Sequence, residues 1–337
     1  MHSTTVIDSA KSSFKPQGLS VRLGHRWAMS LSVVLLLGVG CSWVQAAVFT
    51  LPADSDVIGE SREVSATRDD TLIDIAHKNG LGYEELVNAN PGVDPWVPGE
   101  GTRVYLPLRR VLPDTPREGI VVNLPEHRLY YYPPGKAGEP RVVVTYPVSV
   151  GKMDWHTPIG LTRVVAKIKD PPWYPPESVR NEHLAKGDPL PKVVPAGPDN
   201  PLGQFAMRLG IPGGSYLIHG TNKWAGIGMQ VTHGCMRLYP EDIEALFKIV
   251  ATDTPVRIVN QPQKVGWADG RLYVEVHPPL SDADDSIVPP DRTDLARLVT
   301  GVARTRGLSV QWSAAEAAFE THSGILTSVT QAATHGT

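Results

Sequence analysis

The apolar residues of this chain change rhythm several times. Residues Ala28 to Val39 form an apolar run, too short to span a bilayer comfortably. Arg22, His25 and Arg26 precede it, and Val44-Gln45-Ala46 follows with small residues suited to cleavage. Residues 1–46 therefore read as an export signal. Next, Leu72, Ile75 and Ala76 stand at i, i+3 and i+4 behind Asp69-Asp70-Thr71, which predicts a capped helix. A second short helix is predicted over Tyr83–Ala89, stopped by Asn90-Pro91-Gly92. Pro98-Gly99 and the strand-like Arg103 to Pro107 close a strand-helix-helix-strand unit over residues 63–107.

From there the period shortens. Arg110 to Glu118, with Pro113 and Pro116 among scattered charges, reads as a linker. Beyond it come β-branched and aromatic runs at Ile120–Leu124, Arg128–Tyr132, Arg141–Val150 and Thr162–Ile168, separated by Pro, Gly and charged turns. Further strands are expected at Gln204–Leu209, Ser215–His219, Pro255–Val259 and Leu272–Val276. That spacing predicts a mainly β fold, an antiparallel sandwich or irregular barrel, over residues 119–260. One helix interrupts it at Pro240–Val250, with Pro240 at its first position, Glu241 and Asp242 in the first turn, and an apolar stripe of Ile243, Leu246, Phe247 and Val250. Residues 261–337 read as a C-terminal extension, helical in part and disordered in part. Leu295, Leu298, Val299 and Val302 mark one amphipathic helix, and Ser313 with Glu316 a capping box for another.

Composition narrows the class. The 31 Gly and 31 Pro favour turns and strands over long helices. Formal charge is −3, and residues 1–46 carry Lys11, Lys15, Arg22 and Arg26 against Asp8, so the rest of the chain sits near −6. Nothing there offers the concentrated basic face that nucleic acid requires. The two cysteines are Cys41 and Cys235. Cleavage after Ala46 leaves Cys235 alone, and a lone thiol in an oxidising compartment is a liability unless it has work to do. Val39-Gly40-Cys41 offers a second reading, a lipid-modified start, although Gly38 stands where such signals want Leu.

The candidate chemistry lies between Tyr216 and Leu238, YLIHGTNKWAGIGMQVTHGCMRL. His219 ends a predicted strand and so has a position fixed by the sheet, as a general base requires. His233 lies two residues before Cys235 on a glycine-containing turn. A thiol with a neighbouring imidazole is an acyl-transfer nucleophile with its base. The N–H groups of His233, Gly234 and Cys235 are placed to converge on an oxyanion, and Thr232 to bond across the turn and hold its shape. Two other readings use the same residues. Cys235 can be a buried, inert thiol, or His219, His233 and Cys235 can be three zinc ligands. No Cys-x-x-Cys or His-x-x-x-His pair supports a metal, so neither metal nor cofactor is expected. Trp155, His156, Trp173 and Tyr174 are candidates for a cleft wall, while His77, His127, His183 and His277 read as structural or solvated.

His219-Gly220, a spacer, then Thr232-His233-Gly234-Cys235 and Met236 resemble the active-site signature of the L,D-transpeptidase (YkuD) family, with Arg237 where many members carry Asn. The resemblance extends through Asn123-Leu124-Pro125-Glu126, Gly151-Lys152, Thr157-Pro158-Ile159-Gly160 and Val194-Pro195-Ala196-Gly197-Pro198. Residues 63–107 resemble a LysM domain, which binds peptidoglycan glycan strands, against the plainer alternative of a helical spacer. The resemblance implies a catalytic β-sandwich or irregular barrel in a periplasmic enzyme. It makes Cys235 the nucleophile, His219 the base and then acid, oriented by the Gly220 carbonyl, and Arg237 a holder of a substrate carboxylate. The implied donor is a peptidoglycan tetrapeptide stem, which loses D-alanine to form a thioester. The implied acceptor is a second diaminopimelate or the lysine of a small outer-membrane lipoprotein. Hydrolysis of the same bonds, and wall binding without catalysis, are the alternatives.

Overall fold

A computed structural model describes residues 47–135, 138–152, 157–213, 215–281 and 291–330. The expected export signal, Cys41, Trp155 and His156 lie outside the described residues, as do the extreme C-terminal residues 331–337 expected to be disordered. Among the described residues no helix is long and apolar enough to cross a membrane.

The front of the chain contains β1 (Ala47–Thr50), β2 (Val57–Ile58), β3 (Arg62–Ser65), α1 (Leu72–Lys78), α2 (Tyr83–Ala89), β4 (Arg103–Leu106) and β5 (Arg110–Val111). Strands β3 and β4 pair antiparallel and enclose the two helices around Leu72, Ile75, Leu81, Leu86, Val104 and Leu106. Helix α1 starts at Thr71. Its hydroxyl accepts from Asp74 N at 3.1 Å while Asp74 Oδ2 accepts from Thr71 N at 3.0 Å, a reciprocal box. Asp70, one of three candidate caps in the sequence, instead closes the preceding turn on Thr67.

The expected linker at Arg110–Glu118 is a correction. Arg110 and Val111 pair with β2, Val111 N donates to Glu275 Oε2 at 2.5 Å, and the Arg110 guanidinium is buried against Glu85 at 2.8 Å. A charge read as solvated is buried because α2 supplies its partner from 25 residues away.

The catalytic-size sheet follows: β6 (Gly119–Asn123), β7 (Arg128–Tyr132), β8 (Val142–Pro147), β9 (Val150–Gly151), β10 (Gly160–Lys169), α3 (Glu177–Ala185), β11 (Phe205–Leu209), β12 (Leu217–His219), β13 (Gln230–Thr232), β14 (Met236–Arg237), α4 (Pro240–Ile249) and β15 (Pro255–Val259). Nine strands join in the order β1-β8-β7-β6-β15-β10-β11-β12-β14. All neighbours are antiparallel except β6·β15 and β12·β14. Strand β10 pairs β15 with its first half and β11 with its second, and the register slips between Val164 and Ala166. A bulge there bends the strand and curls the sheet. Alternate residues of β6–β8 enter two cores: Ile120, Val122, Leu129 and Tyr131 on one face, Val121, Tyr130, Tyr132 and Val143 on the other. Burial on both faces explains why these strands read as apolar runs and not as alternation. The α4 stripe of Ile243, Leu246 and Val250 completes the first core.

The extension contains β16 (Gln263–Ala268), β17 (Arg271–Val276), α5 (Arg292–Arg306), α6 (Trp312–Thr321) and β18 (Thr327–Ser328). It carries a three-stranded sheet as well as the two helices, around Leu272, Val274, Leu295, Val299 and Phe319. The expected capping box at Ser313 does not form. The N-cap is Gln311, and Glu316 pairs with Arg292 of α5. Lys264 ties this unit to the main sheet: its Nζ lies 2.8 Å from both Glu126 and Glu275, all three buried.

Candidate active site

Two short strands build the site. β12 ends at His219, and β14 runs parallel to it with His219 opposite Arg237 and Ile218 opposite Met236. Side chains two residues apart share a strand face, so Cys235, just before β14, projects to the same side as Arg237. The turn that carries the thiol needs glycine: Gly234 has φ +90°. Three polar contacts hold it. Thr232 Oγ1 donates to the Cys235 carbonyl at 2.5 Å, Thr157 Oγ1 donates to the Gly234 carbonyl at 3.0 Å, and Lys152 N donates to the Thr232 carbonyl at 2.9 Å. Ser149 and Arg237 exchange backbone hydrogen bonds at 2.9 and 3.0 Å, which seats β14. Thus Gly151, Lys152 and Thr157 brace the turn.

His219 is 5% exposed. Its Nδ1 donates to the Gly220 carbonyl at 2.6 Å, so in the neutral ring Nε2 keeps the lone pair. Burial, then the Arg237 guanidinium, depress its pKa to about 3 against the pull of the Gly220 and Leu202 carbonyls. Cys235 is half-buried, with Sγ 3.6 Å from the Ser215 carbonyl. Burial pushes its thiol up, opposed by the Leu217 N–H and Arg237. Both groups are therefore uncharged at rest. The cation near both is Arg237, half-buried, with Nε lacking a hydrogen-bond partner. A guanidinium with an unpartnered Nε beside a nucleophile is suited to an anion.

His233 places its Nε2 3.3 Å from Glu182 Oε2 on α3. Lys186 and His233 together hold the Glu182 carboxyl down to about 2. Among the described residues, the His/Cys/Asp/Glu cluster with ligand atoms all within 4.8 Å is Glu126, Glu275 and His277, not His219, His233 and Cys235. The Lys264 ammonium already lies between those two glutamates, so that cluster is an ion-pair network.

The cleft candidates divide. Trp173 is half-buried and exchanges backbone hydrogen bonds with Val194 at 2.9 Å, while Tyr174 is 66% exposed. Of the four discounted histidines, His77 pairs with Glu241 between Trp224 and Tyr239, His127 lies 3.2 Å from Glu84, His183 lies 3.1 Å from Asp188, and His277 lies 2.7 Å from Glu275. Sequence reasoning missed Glu182, because nothing local marks α3 as a helix reaching the catalytic turn. It also missed Asn200, fully buried, whose amide donates to the carbonyls of Pro171, Val194 and Pro195 and gathers the insertion beside the site. A lone Asn in a Pro- and Gly-rich stretch was the available signal.

The profile of the YkuD family, described as the L,D-transpeptidase catalytic domain, matches residues 117–258. The chain is 47% identical over 238 residues to "Probable L,D-transpeptidase YcfS" of Escherichia coli K12, covering 69% of this chain and 73% of that protein. It is 41% identical over 271 residues to "Probable L,D-transpeptidase YbiS" of the same strain, covering 77% and 86%. Against "Probable L,D-transpeptidase ErfK/SrfK" of Salmonella typhimurium LT2 it is 40% identical over 234 residues, covering 68% and 74%.

Proposed function

The chain belongs to the L,D-transpeptidase (YkuD) family and is an L,D-transpeptidase, and from that premise we propose that it is exported to the periplasm and works through a thioester on Cys235. The observation that supports this most is the pairing of β12 with β14, which sets His219 against Arg237 beside the Cys235 turn. The donor is a tetrapeptide stem whose free carboxylate pairs with Arg237. As Sγ attacks the carbonyl of the third residue, His219 Nε2 takes the thiol proton and the carbonyl electrons move onto an oxyanion facing the Gly234–Cys235 turn. Collapse breaks the C–N bond, the imidazolium gives its proton to the departing D-alanine, and the thioester remains. An acceptor amine then attacks. His219 takes a proton from nitrogen, the C–S bond breaks, and the sulfur recovers a proton. Starting from neutral thiol and neutral imidazole, the first half-reaction returns the imidazole to rest with the sulfur acylated, and the second restores the thiol.

The acceptor is a lipoprotein lysine or a second diaminopimelate. The βααβ unit at residues 63–107 is a LysM-like module that holds glycan strands near the site. Export supplies the compartment in which wall peptides are met, and residues 1–46 carry the signal.

Incubation with a disaccharide tetrapeptide, alone and with a lysine-ended peptide, separates the outcomes by product mass. Joined products that vanish in Cys235→Ala support transfer. Tripeptide alone, with no joined product under either condition, would make the enzyme a hydrolase of the same bond.

A further inference from the structure

His77 lies on α1 of the front unit, yet its partners belong to the catalytic domain. The ring is 4.7 Å from that of Trp224 and 4.4 Å from that of Tyr239, inclined at 31° and 29°. Its Nε2 pairs with the Glu241 carboxylate in the first turn of α4. Burial would raise that carboxyl, yet the hydrogen bonds from His77 and from the Glu241 N–H leave it below its ordinary value. Two aromatic faces and a carboxylate hold the imidazole in one orientation.

Both of those contacts lead to the catalytic pair. Trp224 opens a single 3-10 turn, Trp224–Gly226, in the segment that joins His219 to Cys235. That segment has little core of its own: Ile227 is buried, while residues 222–225 are exposed. Its position is set by what it leans on. Tyr83 N and Glu84 N of the front unit donate to the Ile227 and Gly228 carbonyls, Ser149 Oγ donates to the Gly226 carbonyl at 2.6 Å, and Val150 N donates to the Met229 carbonyl at 3.1 Å. Glu241 leads toward the base. Two residues further on, Ile243 abuts Gly220, where an added Cβ would lie 3.0 Å from Ile243 Cγ2, and the Gly220 carbonyl holds the His219 ring.

We propose that the front unit is an integral part of the active site, and that His77 is a positioning residue acting through Trp224 on the turn that carries Cys235. The assignment rests on the reading of Cys235 as the nucleophile. An imidazole from the front unit then sets how the thiol meets the donor carbonyl, and a misplacement of about 1 Å there slows the chemistry severely. His77 does not touch the donor, so its loss is felt in kcat and not in KM.

The test uses the full chain, at a temperature well below the thermal midpoint of every variant. His77→Ala lowers the rate of thioester formation by about ten- to a hundredfold and leaves the donor KM within about twofold of the unaltered chain's. His77→Gln, whose amide can still donate to Glu241, recovers most of that loss. Trp224→Ala gives a similar loss, and the double variant is no slower than the slower single one. Amide hydrogen exchange across residues 226–235 quickens in both single variants. An unchanged rate in His77→Ala overturns the assignment, and so do losses that multiply in the double variant. Should His77→Ala not fold, Trp224→Ala decides, and a rate equal to that of the unaltered chain overturns the assignment. If the unaltered chain forms no thioester, the transferase reading fails by itself. Exchange then decides the coupling: a segment as protected in His77→Ala as in the unaltered chain overturns it.

Discussion

Arg237 acts on His219 and Cys235 at once, and lowers the pKa of both. Its charge lowers the imidazole pKa and also opposes the burial that raises the thiol's. A substrate carboxylate that neutralises Arg237 would free His219 to accept the thiol proton, so binding itself prepares the base. Arg237→Met should raise the His219 midpoint above about 3, read by NMR titration, and push the rate of Cys235 alkylation to higher pH. A His219 midpoint that does not move would remove Arg237 from this role. The depressed pKa also governs acid stability. Between the unfolded value of 6.5 and the folded value of about 3, the unfolded chain binds the extra proton. Stability therefore falls as pH drops through that window. Asp242 acts with the opposite sign. Burial, aided by Glu241, raises its pKa from 3.8 to about 8, so folding holds the proton and stability falls as pH rises through that range. Asp242→Asn should flatten the decline between pH 6.5 and 8 in denaturant titrations. At this scale a motif marks the residues the structure brings together: Thr232, Gly234 and Cys235 lie on one turn, and His219 ends the strand that pairs with Arg237. Asp242 was read as a helix-dipole partner, and only tertiary burial turns it into a protonated acid.

Among the elements, those with long periodic patterns were legible and those made by their partners were not. Helix α2 spans Tyr83–Ala89 and β15 spans Pro255–Val259, both as their apolar spacing and turn residues predict. The two-residue strands β2, β5, β9 and β14 have no pattern to read, because pairing alone defines them. Docking of the front unit is likewise a property of pairs. Tyr83 N and Glu84 N donate to the Ile227 and Gly228 carbonyls at 2.9 and 3.2 Å, and Tyr239 Oη donates to the Leu81 carbonyl at 3.1 Å. The segment Trp224 to Met229, on which α2 rests, joins the His219 strand to the Cys235 turn. A Cβ at Gly228 would stand 2.4 Å from Gly82 Cα, at φ +83°. Gly228→Ala should therefore pry the two apart and lower the thermal midpoint, with a cost of at least about 1 kcal/mol. Glu85→Ala leaves Arg110 and Arg128 buried without their carboxylate and should cost about 3–5 kcal/mol by denaturant unfolding. A loss near zero would mean that the two guanidinium groups find water.

Among the described residues, the β6–β7 hairpin of the curled sheet grips both flanking units. Glu85 holds the front unit to Arg128 of β7, and Lys264 holds the extension to Glu126 at the β6–β7 turn. The front unit is thus fastened to the framework of the active site and is not a tethered module, so glycan bound there would have a fixed bearing on Cys235. Mainly β architecture followed from strand spacing and composition. The grip did not, since buried ion pairs join residues that look solvated when read singly. Such coupling predicts one cooperative unfolding transition for the whole described chain, which calorimetry would resolve. The central claim is that Cys235 carries the acyl group, and the direct measurement is intact-protein mass spectrometry of the enzyme quenched during turnover of a disaccharide tetrapeptide. The account predicts an adduct on Cys235 equal to the donor less D-alanine, discharged by an added amine and absent in Cys235→Ala. Turnover with no adduct on Cys235, or turnover that survives Cys235→Ala, would contradict it.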